Sequence, residues 1–205
     1  MSSANNVMAA LPQVHRPDLF NENTKWFDYK RISLDKAYRD VAISGDWAEF
    51  GVFKGDCAKL MLSALPEGSS LLLFDSFEGL QEDWTTAWKK GAFALSEKSI
   101  PVFADPRVRM IKGYFSDTLP GYFTPLAPRL SFIHMDADLY SSTWDVLRHC
   151  NDAIVPGTII LFDEYVMWGK DEEHRALIDW ANEFGREFKY LWRTQWVQVA
   201  VRITR

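Results

Sequence analysis

The chain has 205 residues, of which 47% are hydrophobic and 25% are charged, and its formal net charge is -5. This length and composition are typical of one globular domain that buries enough apolar surface to fold without cross-links. The acidic balance argues against a protein that binds nucleic acid through its phosphates. The sequence has neither a signal-like start nor an apolar run of about 18 residues, so we expect a cytoplasmic protein without a membrane partner.

Short apolar runs alternate with helical patterns from residue 46 to the last strand. Residues 1–45 form a leader with a helix predicted at 24–43, and residues 46–205 form the main domain. The predicted elements of that domain are strands at 46–52, 70–76, 108–114, 130–136, 157–165, 188–194 and 196–204, and helices at 56–65, 141–154 and 172–185.

This alternation predicts an α/β fold in which helices cover both faces of a parallel sheet. The segments 188–194 and 196–204 are too close in sequence for a helical crossover, so they form an antiparallel hairpin. Dinucleotide-binding folds usually end with parallel strands, whereas class I S-adenosylmethionine methyltransferases end with such a hairpin. The sequence therefore predicts a three-layer Rossmann-like sandwich with a seven-stranded, mostly parallel sheet and an antiparallel C-terminal hairpin.

A glycine loop follows the first predicted strand and opens the first predicted helix. Its pattern is ExGxxxG, from Glu49 through Gly51 to Gly55, rather than the GxGxxG of dinucleotide sites. Asp75 ends the next strand, where a carboxylate can accept both hydroxyls of a ribose. A loop without a second phosphate-binding glycine fits S-adenosylmethionine, which carries no pyrophosphate.

The remaining candidate contacts to this cofactor lie at other strand ends. Glu49 is a candidate partner for the ammonium of the cofactor. Gly113 and Phe115 lie at the end of the third strand and are candidates for holding the adenine. Core packing explains Phe115 equally well. The full predicted set for the cofactor comprises Glu49, Phe50, Gly51, Gly55, Asp75, Ser76, Gly113, Phe115 and Asp136.

Two acidic runs, at 134–140 and 161–165, each end a strongly apolar stretch. If their strands are parallel neighbours about 4.8 Å apart, they bring together the carboxylates of Asp136, Asp138, Asp163 and Glu164. Like charges this close destabilise one another unless they are neutralised, and Mg²⁺ or Ca²⁺ prefers such oxygen ligands. His134 is either a second base or a hydrogen-bonded histidine inside the sheet.

Five segments in this order resemble the macrocin O-methyltransferase family (TylF/MycF-like), which methylates hydroxyls of sugars on antibiotics: EFGVFKGD, FDSFEGL, KGYFSDTLP, HMDADLYSST and PGTIILFDEY. The resemblance covers about residues 45–205. It implies S-adenosylmethionine as methyl donor and a divalent cation, expected to be Mg²⁺, held by Asp136, Asp163 and Glu164. It implies Asp138 as the general base and Asp136 as the other catalytic residue. Family members usually carry Asp-Asp where this chain has Asp163 and Glu164.

The expected reaction is therefore methylation of a hydroxyl on a sugar or another diol-bearing small molecule, which leaves S-adenosylhomocysteine. The aromatic segment 76–104 is either a lid over the acceptor or a helical insertion packed on the sheet. The leader at 1–45 is a candidate surface for a homodimer. Three alternatives remain: a catalytically silent module with the cofactor fold, a dinucleotide-dependent oxidoreductase, and a metal-dependent methyltransferase for catechols.

Overall fold

Seven strands form one sheet in the computed structural model, which describes residues 11, 26–124, 128–194 and 197–205. They are β1 (Asp46–Phe50), β2 (Leu71–Asp75), β3 (Val108–Lys112), β4 (Leu130–Met135), β5 (Ile154–Phe162), β6 (Phe188–Arg193) and β7 (Val199–Ile203). Their order across the sheet is β3-β2-β1-β4-β5-β7-β6. β1 to β5 are parallel, and β7 runs antiparallel to both β5 and β6. The predicted fold class is confirmed.

Helices cover both faces of this sheet. They are α1 (Trp26–Asp40), α2 (Asp56–Ala64), α3 (Phe115–Thr118), α4 (Tyr140–His149) and α5 (Glu172–Glu183). Buried side chains of α1 and α2, including Leu34 and Met61, pack in one apolar cluster with β1 and β2. Buried side chains of α4 and α5, including Leu147 and Trp180, belong to a second cluster. The three layers follow from these two apolar faces of the sheet.

The ends of several predicted elements differ from the structure. The helix predicted at 141–154 ends at His149, and β5, predicted at 157–165, already begins at Ile154. The first helix ends at Asp40 rather than at residue 43, and its predicted start at 24–25 lies outside the described residues. The last strand begins at Val199, while the predicted start at residue 196 also lies outside them. The rest of the predicted leader, residues 1–10 and 12–23, is not described either. Among the described residues, no helix is both long enough and apolar enough to cross a bilayer.

The strand order reverses between β1 and β4, so the loops that follow these strands diverge and leave a crevice at their carboxyl ends. The loops are tied to neighbouring strands by backbone hydrogen bonds: the amide of Asp136 donates to Phe50 at 2.9 Å, and that of Asp163 donates to Met135 at 2.9 Å. Gly51 has a φ of +92°, and a Cβ there would lie 1.8 Å from the carbonyl oxygen of Asp136. Only glycine allows this close approach.

The segment 76–104 contains turns and one short 3₁₀ helix, Glu97–Ser99, but no α-helix. The alternative of a helical insertion is therefore wrong. The segment folds back on itself, because the amide of Leu80 donates to Ala92 and that of Gly91 donates to Leu80, both at 2.9 Å. This compact loop stands beside the crevice and supplies part of its wall.

Candidate active site

A cavity of about 800 Å³ opens at the carboxyl ends of the parallel strands. This volume lies within the range of about 300–1,000 Å³ that is usual for small-molecule sites. Six of the nine predicted cofactor residues line it, and Glu49, Phe50 and Gly55 lie outside its wall. The six are Gly51, Asp75, Ser76, Gly113, Phe115 and Asp136.

Asp75 holds the glycine loop in place from the end of β2. Its Oδ2 accepts hydrogen bonds from the backbone amides of Val52 at 2.7 Å and Phe53 at 2.8 Å, and its Oδ1 accepts one from Phe77 at 2.6 Å. A carboxylate has about four lone-pair sites, so these three bonds leave capacity for a ligand. Asp75 thus orders the loop and also presents a carboxylate to the cavity.

Phe115 packs in the core and also stands in the cavity wall, so the position fits either alternative that the sequence left open. It is buried in the core, packs edge-to-face with Phe50 at 5.7 Å between ring centroids, and also lines the cavity. Phe50 in turn stacks on Phe74 at 5.0 Å and is fully buried. The predicted contact of Phe50 with a cofactor therefore does not involve its ring, which serves to support Phe115.

Glu49 and His134 form a buried pair beneath the cavity. His134 Nδ1 lies 2.9 Å from Glu49 Oε1, and both side chains are 1% exposed. Burial alone would lower the pKa of His134, but the carboxylates of Asp163 and Glu49 raise it to about 10, so the ring is an imidazolium. Cys57 Sγ lies within 4.8 Å of both side chains, a proximity that sequence spacing did not indicate. The carboxylate of Glu49 is thus already paired with a side chain of the protein, His134.

Three carboxylates converge at the cavity wall. Oxygens of Asp136, Asp138 and Glu164 all lie within 4.8 Å of one another. Burial, together with the charge of Asp136, raises the pKa of Asp138 to about 8, and burial also raises the pKa of Glu164 well above its usual range. Glu164 Oε2 is buried and has no hydrogen-bond partner among the described residues. This set of hard oxygen donors fits a divalent cation.

Asp163 lies outside this cluster of three and shares one partner, Lys30, with Asp136. Lys30 Nζ lies 2.5 Å from Asp163 Oδ2 and 2.9 Å from Asp136 Oδ2, and so bridges the two carboxylates. Gln198 Nε2 donates to Asp163 Oδ1 at 3.3 Å. Burial would raise the pKa of Asp163, but the charges of Lys30 and His134 hold it below its usual value. The expected crowding of like charges is therefore relieved by two side-chain cations of the protein.

Comparison with known proteins decides the family. Residues 31–184 match the sequence profile of the macrocin O-methyltransferase (TylF) family. The chain belongs to this family. It is 30% identical over 204 residues to the demethyldecarbamoylnovobiocin O-methyltransferase of Streptomyces niveus, covering 82% of this chain and 77% of that protein. It is therefore an S-adenosylmethionine-dependent O-methyltransferase. This family match argues against the oxidoreductase and the silent-module alternatives.

Other similar proteins agree with the assignment. A 4'-O-methyltransferase of Streptomyces olivaceus that acts on a rhamnosyl-tetracenomycin is 28% identical over 163 residues, covering 70% of this chain and 60% of that protein. Two solved structures have the same fold. The calicheamicin methyltransferase CalS11 has a TM-score of 0.72 at 20% identity, covering 97% of this chain and 89% of its own. The O-methyltransferase NovP has a TM-score of 0.69 at 24% identity, covering 98% and 95%.

Asp138 of the methyltransferase reaches the cavity by a backbone turn rather than by strand alternation. The period-2 alternation of a continuing strand would point Asp136 and Asp138 to one side, but β4 ends at Met135 and Asp138 has a φ of +59°. Aspartate is among the few residues that adopt this left-handed conformation readily. Both carboxylates do line the cavity, but the cause is the left-handed turn at Asp138 and not strand alternation.

Glu173 links the two acidic loops of the methyltransferase and was missed by sequence reasoning. This fully buried side chain of α5 accepts a hydrogen bond from the amide of Glu164 at 3.2 Å and a longer one from that of Ala137 at 3.5 Å. Lys30 was missed as well, because its helix precedes the residues that the sequence assigned to the main domain. The signal for Glu173 was its place in an acidic run at a helix start, which more often marks a solvated face.

Proposed function

We propose that this methyltransferase methylates a hydroxyl of a sugar or another vicinal diol on a natural product, with Mg²⁺ as its cation. The observation that carries the proposal is one cavity that has the glycine loop and Asp75 in one part of its wall and the carboxylates of Asp136, Asp138 and Glu164 in another. The names of two relatives support the substrate class, since one acts on a novobiocin precursor and the other on a dimethoxyrhamnosyl group.

The reaction needs alignment and removal of one proton. The methyl group passes from the sulfonium to the acceptor oxygen as the S–C bond breaks and the O–C bond forms in line. The hydroxyl proton goes to the second carboxylate oxygen of Asp138, since the cluster uses one oxygen of each carboxylate. Asp75 and the loop at Gly51 orient the donor. In the site without a cation, burial and the charge of Asp136 raise the pKa of Asp138 to about 8, near the range that suits a general base.

A cation at this cluster would be held by Asp136, Asp138 and Glu164, with Asp163 as a further ligand once it is released from Lys30. When bound, Mg²⁺ would lower the pKa of a neighbouring hydroxyl and orient the diol. Glu164 replaces the aspartate that the family usually carries, and its longer arm reaches the oxygens of Asp136 and Asp138. Glu173 holds the backbone from which this arm extends by accepting a hydrogen bond from the amide of Glu164.

Aromatic side chains also line the cavity and are the proposed contact for the body of the acceptor. Trp84 is buried against Leu139 and Met167, and its ring lies 5.7 Å from that of Trp168. Trp168 is 66% exposed and lines the cavity. A large exposed aromatic ring at a cavity rim binds an apolar or sugar face at low cost in conformational entropy.

Trp168→Ala is expected to raise the KM for the acceptor by about 2–10-fold and to leave kcat nearly unchanged, because the ring adds binding area and no chemistry. The measurement is initial-rate kinetics with varied acceptor at saturating donor. Phe184→Ala is the control, since Phe184 is also an exposed aromatic residue, 38% accessible, but lies outside the cavity wall. Equal effects of the two substitutions on KM would contradict a role of Trp168 in acceptor binding.

The proposed function is tested by calorimetric titration with S-adenosylmethionine and S-adenosylhomocysteine, with and without Mg²⁺. We expect both to bind the wild type, and we expect a Mg²⁺ signal that Asp136→Ala/Asp163→Ala lacks. A panel of sugar and catechol diols is then screened for formation of S-adenosylhomocysteine. Turnover restricted to catechols would reject the sugar proposal, and full turnover in the presence of a chelator would reject the cation.

A further inference from the structure

Lys30 inserts an ammonium into the acidic cluster from outside the sheet. It lies on α1, 106 residues before Asp136 in sequence, and contacts Asp136 Oδ2 at 2.9 Å and Asp163 Oδ2 at 2.5 Å. Its side chain is 19% exposed and lines the cavity. The ammonium therefore touches one carboxylate of the Asp136–Asp138–Glu164 cluster and one carboxylate that the family resemblance places on the metal.

The helix that carries Lys30 is fixed against the sheet. Tyr29 and Leu34 are each 1% exposed, and Ala37 is fully buried. Because Leu34 and Ala37 pack in the same apolar cluster as β1 and α2, α1 cannot turn without exposing them. The position of the ammonium is thus set by the packing of α1 and not by a free surface side chain.

We propose that Lys30 is the residue that sets the cation affinity of this site, because its ammonium competes with a divalent ion for Asp136 and Asp163. The proposal rests on the cation site described under Proposed function. An ion held by Asp136, Asp138 and Glu164 has Lys30 as a cationic neighbour, and it gains Asp163 as a ligand only when Lys30 withdraws. Cation affinity of carboxylate sites rises with the number of charged ligands, so Lys30 keeps binding weak.

The test is titration of the full-length, metal-free protein with Mn²⁺, followed by electron paramagnetic resonance of the free ion. Lys30→Met removes the charge and keeps an unbranched side chain of similar length. We expect it to bind Mn²⁺ at least about tenfold more tightly than the wild type, because one repulsive charge is lost and Asp163 becomes available. Lys30→Arg keeps the charge and is expected to stay at or below the wild-type affinity.

Lys36→Met is the matched control. Lys36 lies on the same helix, is also 19% exposed, and pairs with Asp40 at 2.6 Å, away from the cavity. This substitution removes the same charge from the protein and should leave Mn²⁺ affinity unchanged. A comparable gain in both methionine variants would assign the effect to net charge and overturn the proposal.

Other outcomes are equally decisive. Unchanged or weaker Mn²⁺ binding in Lys30→Met would mean that Lys30 supports the site rather than competing for it. If that variant does not fold, Lys30→Gln, which can still donate a hydrogen bond to Asp163, is read in its place. S-adenosylhomocysteine binding is measured in the same samples. Binding of S-adenosylhomocysteine without any binding of Mn²⁺ overturns the role of Lys30 and leaves the methyltransferase assignment intact. If the wild type binds neither S-adenosylhomocysteine nor Mn²⁺, the proposed function itself is rejected.

Discussion

Replacing Asp138 with asparagine is expected to lower kcat by about 10²–10⁴, because the amide cannot accept the proton of the acceptor hydroxyl. Asparagine also adopts the left-handed conformation that this position requires, with its φ of +59°, so the backbone turn is preserved. We expect S-adenosylhomocysteine affinity to change little. The measurement is the initial rate of methyl transfer to an acceptor from the diol screen, together with calorimetric titration of the product cofactor.

Asp145→Asn is the control for this loss of charge. Asp145 lies on α4 with a 15% exposed side chain and pairs with Arg148 at 2.8 Å. The Asp145→Asn variant is expected to keep wild-type turnover. Mn²⁺ titration of Asp138→Asn separates the two possible roles of the carboxylate, since a pure base leaves cation affinity intact and a ligand lowers it in parallel with kcat. Near-normal turnover with intact metal binding would mean that Asp138 is not the base.

Removal of the buried carboxylate in Glu49→Ala is expected to lower the free energy of unfolding by about 3–5 kcal/mol, because it leaves His134 charged and without its closest partner. The 2.9 Å contact of Glu49 with His134 Nδ1 is fully buried, so water cannot replace it. Urea denaturation followed by tryptophan fluorescence measures the change.

The same variant tests the sequence-based expectation that Glu49 binds the ammonium of the cofactor. Because Glu49 lies outside the cavity wall, we expect S-adenosylhomocysteine affinity to change little while stability falls. The control is Glu187→Ala, which removes a 59% exposed partner of Arg205 and should hardly move the denaturation midpoint. A large loss of cofactor affinity without a loss of stability would return Glu49 to the cofactor site.

The sequence predicted the sheet and the meeting of acidic residues at its carboxyl edge, because both depend on short-range patterns. The apolar runs before Asp75, Asp136 and Asp163 mark buried parallel strands, and functional groups in such sheets lie at the carboxyl ends. Adjacency of β4 and β5 then brought Asp136 and Glu164 together as expected. The hairpin at the end of the chain followed from the short gap between its strands.

The roles of individual carboxylates were beyond the reach of those patterns. Whether Asp163 faces a cation or Lys30 depends on where α1 packs. Lys30 and Asp163 are 133 residues apart in the chain, and no local periodicity predicts a contact over that separation. Glu49 likewise stands beside glycine residues of the cofactor loop but pairs with His134 on the neighbouring strand β4. Glu173, in an acidic run typical of a solvated helix start, is buried behind both acidic loops.

By itself, therefore, the sequence determined the fold class, the family, the cavity edge and the acidic character of the site, since these follow from apolar periodicity and from motifs next to strand ends. The tertiary structure alone decided which oxygens meet, which carboxylates are neutralised, and by what. Those properties depend on distances of about 3 Å between residues remote in sequence, and electrostatic energies change steeply over such distances in a buried site.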